Sequence, residues 1–336
     1  MTKHASSLSG SRNGPTDPPT DATLSVPRDR LLGVNERRIG LWLHSSRVEA
    51  VEAAAELARG LSQRGIECLV ALDRADEVQA IAKDLAIGSL ADGPQIELLV
   101  VLGGDGTILS AAEWALTAQV PLLGVNMGHV GFLAELEASE IEDLVERVAL
   151  KRYRVEERVM LAVEVRSGDE IWHSFALNEL SIEKAMRSRM IDVLVSVDDH
   201  PLSRWACDGI LVSTPSGSTA YAFSAGGPVI WPDVEAIELV PLLAHALFAR
   251  PLVLSPDSVI EIYLMEGSDP AAFWCDGRRK FIGDAGAVAI VTRNALNLRF
   301  ARLDEQPFTN RLVRKFQLPV DGWRHGKIDS TEADTC

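Results

Sequence analysis

Four clusters of residues in this chain combine types and spacings that suit chemistry. The first is Gly103-Gly104-Asp105-Gly106-Thr107, directly after the apolar run Leu98-Leu99-Val100-Val101-Leu102. Glycines admit positive φ and leave no Cβ between a backbone N–H and a phosphate. A helix starting near Thr107 adds the partial positive charge of its N-terminus. Asp105 would repel a phosphate there unless it serves a metal, a ligand hydroxyl or a proton transfer. The plain alternative is a strand-to-helix turn with Asp105 as an Asx cap. The chain has no G-x-x-x-x-G-K-[ST] run, and Gly104-x-Gly106 lacks the third glycine of the dinucleotide fingerprint. The turn therefore points to phosphoryl chemistry by another route.

The second cluster is Gly124-Val125-Asn126-Met127-Gly128-His129-Val130-Gly131-Phe132-Leu133. It too follows a strand, so both loops should open on one sheet edge. Phe132 is placed either to stack on a ring of the ligand or to pack in the core. The third is Asn178-Glu179, flanked by Leu177 and Leu180 in an otherwise alternating run. A half-buried amide and carboxylate need partners, which a ribose or a neighbouring loop could supply. The fourth runs from Cys207-Asp208-Gly209 to Ser213-Thr214-Pro215-Ser216-Gly217-Ser218-Thr219-Ala220-Tyr221. Its hydroxyls suit phosphate or adenine contacts, and Tyr221 offers a stacking face. A nucleophilic serine is the weaker reading, because no histidine lies near in sequence. His129 and His245 read as structural or partner-facing. The seven histidines show no metal-ligand spacing, so no metal ligand is assigned.

The elements that must position these clusters follow from periodicity. Apolar runs at 39–43, 66–72, 98–102 and 121–125 alternate with helical patterns at 48–64, 76–87 and 107–117. That alternation predicts a doubly wound α/β domain with ligands beyond the carboxyl ends of its strands. After about residue 152 the period becomes two, which predicts a mostly antiparallel, sandwich-like β domain. The expected division is a flexible tail at 1–35, the α/β domain with its phosphate loop at 36–150 and the β-rich domain at 151–304. A closing amphipathic helix at 305–318, packing back on the first domain, and a second tail at 319–336 complete it.

The chain has 336 residues, 47% of them hydrophobic, with a formal net charge of -15. That length suits about two domains, and the charge argues against a broad nucleic-acid or anionic-membrane surface. Its four cysteines form no C-x-x-C pair. No apolar leader is visible, and the longest apolar stretch, 239–249, is too short to span a bilayer. The expectation is a cytoplasmic protein with no membrane and no nucleic-acid partner.

Taken together and in this order, the four motifs resemble the ATP-dependent NAD kinase family of the bacterial type. The carrying runs are GGDGT, GVNMGHVGFL, ALNELSIEK and DGILVSTPSGSTAYAFSAGGPVIWP, and the likeness covers roughly residues 38 to 318. The resemblance implies transfer of the ATP γ-phosphoryl group to the 2′-hydroxyl of the adenosine ribose of NAD, giving NADP. By motif, Asp105 would hydrogen-bond that hydroxyl and act as base. Gly106 and Phe132 would line the site, and Asn178 and Glu179 would hold the ribose. Asp208 would reach the nicotinamide end, with Ser216, Thr219, Ala220, Tyr221 and Ser224 around NAD. The family likeness further implies a divalent metal, Mg²⁺, a homo-oligomer (dimer or tetramer) and, in some members, polyphosphate as donor.

Two other classes share single features. Lipid and sugar-phosphate kinases resemble the chain at GGDGT alone, and the β-rich half separates them from it. A non-catalytic nucleotide sensor would show an altered Asp105 or a broken glycine loop, and neither is present. Preference for NAD over NADH, donor range, oligomer size, feedback control and the role of residues 1–35 are not legible in the sequence.

Overall fold

A computed structural model describes residues 37–320, except positions 72, 93–94, 129–130, 135, 138–139, 187–188 and 304–306. The expected tail at 1–35, all but two residues of that at 319–336, and His129 lie outside the described residues. The first sheet has eight strands. Its order is β3 (Gly88–Ser89), β2 (Glu67–Val70), β1 (Arg38–Leu43), β4 (Leu98–Leu102), β5 (Leu122–Asn126), β20 (Leu298–Arg302) and β7 (Arg154–Arg158), with β6 (Leu136–Glu137) also on β5. All pairings are parallel except β20 with β7.

Every residue of β4 and β5 is buried, because helices cover both faces. Val100, Leu102, Leu123 and Val125 pack with α1 (Val48–Ser62) and α4 (Ile141–Ala149) in one core. Leu99, Val101 and Leu122 pack with Ile108, Ala111 and Ala115 of α3 (Asp105–Ala118) in another. Each such side chain contributes about 1.5–3 kcal/mol by leaving water. This is the doubly wound layer arrangement expected. A short α2 (Ala75–Ile81) follows β2.

Two findings differ from the sequence reading. Residues 154–158 and 298–302, read there with the β-rich half, pair in the first sheet beside β5. Period-two alternation marks a strand but not the sheet that receives it. The helix α4 is absent from the sequence expectation, although Ile141, Leu144, Val145 and Val148 carry helical spacing and are all buried.

The other strands form two antiparallel six-stranded sheets around one core. One runs β15 (Leu252–Leu254), β14 (Ile237–Leu242), β13 (Gly209–Ser213), β10 (Glu179–Lys184), β17 (Ala271–Cys275), β18 (Arg279–Gly283). The other runs β12 (His200–Cys207), β11 (Ile191–Val197), β16 (Ile260–Leu264), β19 (Val288–Arg293), β8 (Leu161–Ser167), β9 (Glu170–Ala176). Val163, Val193 and Ile262 from the second meet Leu180, Val212 and Phe273 from the first. The single alternating run around Asn178 is thus two strands in two sheets, β9 and β10. Chain crossovers between sheets fall at Leu177-Asn178 and again at Asp208, between β12 and β13. The last helix, α6 (Phe308–Phe316), buries Leu312 and carries Arg314 and Lys315 in its last turn.

Candidate active site

The glycine turn joins β4 to α3, with Gly104 capping the helix in extended conformation and Asp105 as its first residue. None of Gly103, Gly104, Gly106, Gly124, Gly128 or Gly131 has positive φ, so their use here is space rather than the backbone freedom expected. A Cβ on Gly103 would meet Thr107 Oγ1 at 2.3 Å, so this glycine lets the helix start close beneath the strand. A Cβ on Gly104 or Gly106 would meet nothing within 4 Å. These two leave the approach to the turn open, where an anion would meet helix N–H groups.

The carboxylate of Asp105 ties the two loops together. Its Oδ2 accepts the N–H of Phe132 at 3.0 Å and its Oδ1 the N–H of Leu133 at 3.2 Å. A Cβ on Gly131 would fall 2.2 Å from Oδ1, so only glycine fits beside the carboxylate. Each oxygen keeps a further lone pair for a ligand proton. The ring of Phe132 packs on Phe308 and Phe316 of α6, at 6.1 and 5.6 Å between centroids, while also lining a cavity.

Asn178 and Glu179 sit at the sheet crossover, both buried. Leu177, just before them, packs in the same core as Ile108 of α3 and Leu133 of the second loop. Asp276 holds the crossover, accepting the N–H of Asn178 at 2.7 Å and of Leu177 at 3.0 Å. Arg279 donates to Asp276 Oδ2 at 2.9 Å and to the Phe175 carbonyl at 2.7 Å, and also pairs with Glu113 of α3. Arg278 reaches Glu113 at 3.1 Å, so one network of charges fastens the β17–β18 hairpin to the helix that begins at Asp105. The side chains of Asn178 and Glu179 remain partly unanswered: Oδ1 and Oε2 are buried without a hydrogen-bond partner. Burial, with the nearby charge of Asp276, pushes the Glu179 carboxyl up to about 8 against the pull of the Tyr221 N–H. Burial pushes Asp276 up as well, opposed by its two N–H donors and Arg279.

Three hydroxyls of the hydroxyl-rich turn, those of Ser213, Thr214 and Ser218, bond within the protein. Ser213 Oγ donates to the Asn178 carbonyl at 3.2 Å, and Thr214 Oγ1 to the Leu177 carbonyl at 2.5 Å. Ser218 Oγ donates to Pro215 at 2.7 Å and accepts the Ile230 N–H at 2.9 Å. The crowding of hydroxyls seats the turn on the crossover. Ser216 and Thr219 are partly exposed and line a cavity of about 750 Å³ with Phe132, Trp231 and Arg311. Asp208, Tyr221 and Ser224 line a second cavity of about 470 Å³. Asp208 is ion-paired there with Lys184 at 2.6 Å. Phe132, Ser216 and Thr219 thus line one cavity, with Asp105 bonded to the Phe132 N–H, and Asp208, Tyr221 and Ser224 line the other. Asn178 accepts the Thr214 N–H through its carbonyl at 2.9 Å and Glu179 accepts that of Tyr221, so both touch the hydroxyl-rich turn.

Sequence reading missed Asp276, Arg279 and Arg311. Asp276-Gly277 registers in sequence only as a hairpin turn, and Glu113 and Phe132, which the two arginines reach, are far away along the chain. Among the described residues no three His, Cys, Asp or Glu side chains gather as a metal site.

An α/β sheet with a glycine-lined anion approach, fastened by a charge network to a β sandwich that buries polar atoms without partners, defines a nucleotide-dependent phosphotransferase site. Residues 35–153 match the ATP-NAD kinase N-terminal domain, and residues 177–303 the ATP-NAD kinase C-terminal domain. The chain is 54% identical over 295 residues to the NAD kinase of Cutibacterium acnes, covering 87% of this chain and 93% of that protein. It is 48% identical over 304 residues to that of Mycobacterium leprae, covering 86% and 97%. Among solved structures, yeast NADH kinase complexed with NADH shares the fold at a TM-score of 0.77 and 24% identity, covering 87% and 90% of the two chains. An Archaeoglobus fulgidus NAD kinase in complex with ATP does so at 0.64 and 24%, covering 84% and 100%. The chain belongs to the NAD kinase family.

Proposed function

We propose that the chain transfers the γ-phosphoryl group of ATP to the 2′-hydroxyl of the adenosine ribose of NAD, with Asp105 accepting the hydroxyl proton. The observation that carries this reading is the pair of buried, partnerless atoms Asn178 Oδ1 and Glu179 Oε2, in a chain that also fixes a carboxylate at an open glycine turn. Such atoms cost about 1–3 kcal/mol each until a ligand hydroxyl or amide meets them. Gly104 and Gly106 would admit the ATP phosphates. Mg²⁺ binds through nucleotide phosphates and one or two carboxylates rather than a protein cage, which suits a turn with one acid. Phosphoryl transfer asks mainly for positioning and charge stabilisation, so a small set of groups suffices. Polyphosphate as an alternative donor needs the same turn. NAD would extend past the 217–220 turn to Asp208, Tyr221 and Ser224.

The test is NADP formation from ATP, Mg²⁺ and NAD, read with an NADP-specific dehydrogenase. Asp105→Asn is expected to keep NAD binding while losing at least 10²-fold in turnover, the smaller end of a general base's contribution. Near-normal turnover in that variant would remove Asp105 from the mechanism. NAD bound without any product, in the wild-type chain, would favour the sensor reading.

A cytoplasmic location and a homo-oligomer belong to the same proposal. The first is supported by Cys68, Cys207 and Cys275, all unbonded thiols; recovery of the chain outside the cytoplasm on cell fractionation would overturn it. Support for the second lies in the exposed apolar side chains Leu243 and Met186, which line the second cavity.

A further inference from the structure

The carbonyl of Phe132 and the N–H of Leu133 belong to one planar peptide unit, so they point in opposite directions. The N–H donates to Asp105 Oδ1 at 3.2 Å, and the carbonyl accepts from Arg311 Nη1 at 3.0 Å. A cation therefore stands at the oxygen end of a peptide dipole and the carboxylate at its hydrogen end. Each strengthens the other's hydrogen bond by polarising the group between them. The arginine is carried by α6, which is held at several points. Phe308 and Phe316 flank the Phe132 ring, Phe316 stacks on Phe223 at 4.5 Å, and Phe308 meets the edge of Trp231 at 5.1 Å. Ring pairs of this kind stabilise their geometry beyond the area they bury.

We infer that Arg311 is a positioning residue for phosphoryl transfer, acting through the Phe132–Leu133 peptide to hold the Asp105 carboxylate toward the reacting hydroxyl. The inference rests on Asp105 as the proton acceptor. It gives α6 a role in turnover, although the helix lies some 180 residues beyond the glycine loops in sequence and, Phe132 packing apart, supplies neither of the loops it braces.

The experiment measures kcat, KM for NAD and for ATP, and thermal stability in wild type, Arg311→Ala, Arg311→Lys, Asp105→Asn and the double variant Asp105→Asn/Arg311→Ala. Small displacements of a reacting group can cost about 10²-fold. Arg311→Ala is expected to lower kcat roughly 10- to 100-fold with both KM values little changed, and Arg311→Lys, which keeps a charged donor, to recover most of it. The double variant should be no slower than Asp105→Asn alone, because both changes remove one function. Three results would overturn the inference: normal kcat in Arg311→Ala whatever its stability, losses that multiply in the double variant, or a rise in KM at unchanged kcat, which would make Arg311 a ligand contact. Arg311→Gln keeps part of the stem but is two atoms shorter and uncharged, and gives the same comparison should the alanine variant not fold. If Asp105→Asn itself turns over normally, the proton-acceptor reading fails; if Asp105→Asn is slow and Arg311→Ala is not, only the role of Arg311 fails.

Discussion

At the residue scale, the acids divide by what surrounds them. Asp105 and Asp276 each receive two backbone N–H groups, and Asp208 receives a lysine. Glu238 receives nothing. It is fully buried on β14, opposite Ser213 and beside Val253, with both oxygens partnerless and Gly227 so close that a Cβ there would fall 2.1 Å from Oε1. The groups facing it from β13, β15 and the turn after α5 (Tyr221–Ser224), namely Ser213, Val253 and Gly227, are all uncharged, and burial alone pushes its carboxyl up to about 7. Below about pH 4.5 the group is protonated in both folded and unfolded chains and adds no pH dependence. Between there and 7 the unfolded chain releases the proton while the folded chain keeps it, so stability falls as pH rises; above 7 the full penalty is present. Glu238→Gln should therefore be the more stable protein at pH 8, by on the order of 1–3 kcal/mol, with the difference shrinking toward pH 5. Denaturant unfolding at the two pH values checks this, and an equal difference at both would show that ionisation is not the cause.

At the element scale, the glycine loops show what periodicity and motif spacing can and cannot reveal. That both loops follow buried strands and open on one edge is legible, because five-residue apolar runs and parallel βα alternation have few other solutions. The duty of each glycine is not legible, since it depends on a partner elsewhere: Gly131 on Asp105, Gly128 on Arg47, Gly124 on Ile108. The internal bonds of the hydroxyl-rich turn are illegible for the same reason, the acceptors being the carbonyls of Leu177, Asn178 and Pro215. Gly106 and Gly131 make opposite predictions. Gly106 lies in the first turn of α3 with open space where a Cβ would go, so Gly106→Ala should fold at least as stably, by about 0.5–1 kcal/mol from helix propensity. Its methyl group would stand in the anion approach, and KM for ATP should rise severalfold. Gly131→Ala pushes on the Asp105 carboxylate and should lower kcat and stability together. Steady-state kinetics beside thermal unfolding distinguish the pair; equal losses of stability in both would contradict the assignment of open and filled space.

At the scale of the whole molecule, the question is what completes the second cavity. The charge network from Asp276 through Arg279 to Glu113 explains how the sandwich keeps station on α3, the helix that begins at Asp105. The side with Asp208 and Tyr221 is bordered by apolar surface instead. Leu243 is 77% exposed and Met186 57% exposed, both lining the cavity, and Leu247, Phe248 and Val253 are exposed nearby in sequence or on the neighbouring strand. Apolar side chains gathered on one face mark an association surface more often than scattered ones do. A second copy of the chain is the occupant we expect, because its contact would cover Leu243 and Leu247 and at the same time wall the cavity that holds Asp208. Each copy carries a formal charge of -15, so association should tighten as salt screens the repulsion, the reverse of a contact held by ion pairs. Sedimentation velocity should report a dimer or tetramer at micromolar concentration, more so at higher salt. Leu247→Asp should shift it toward monomer and raise KM for NAD well before it lowers the folded fraction. A wild-type monomer under both salt conditions, or a monomeric variant that binds NAD normally, would leave the cavity to be completed within a single chain.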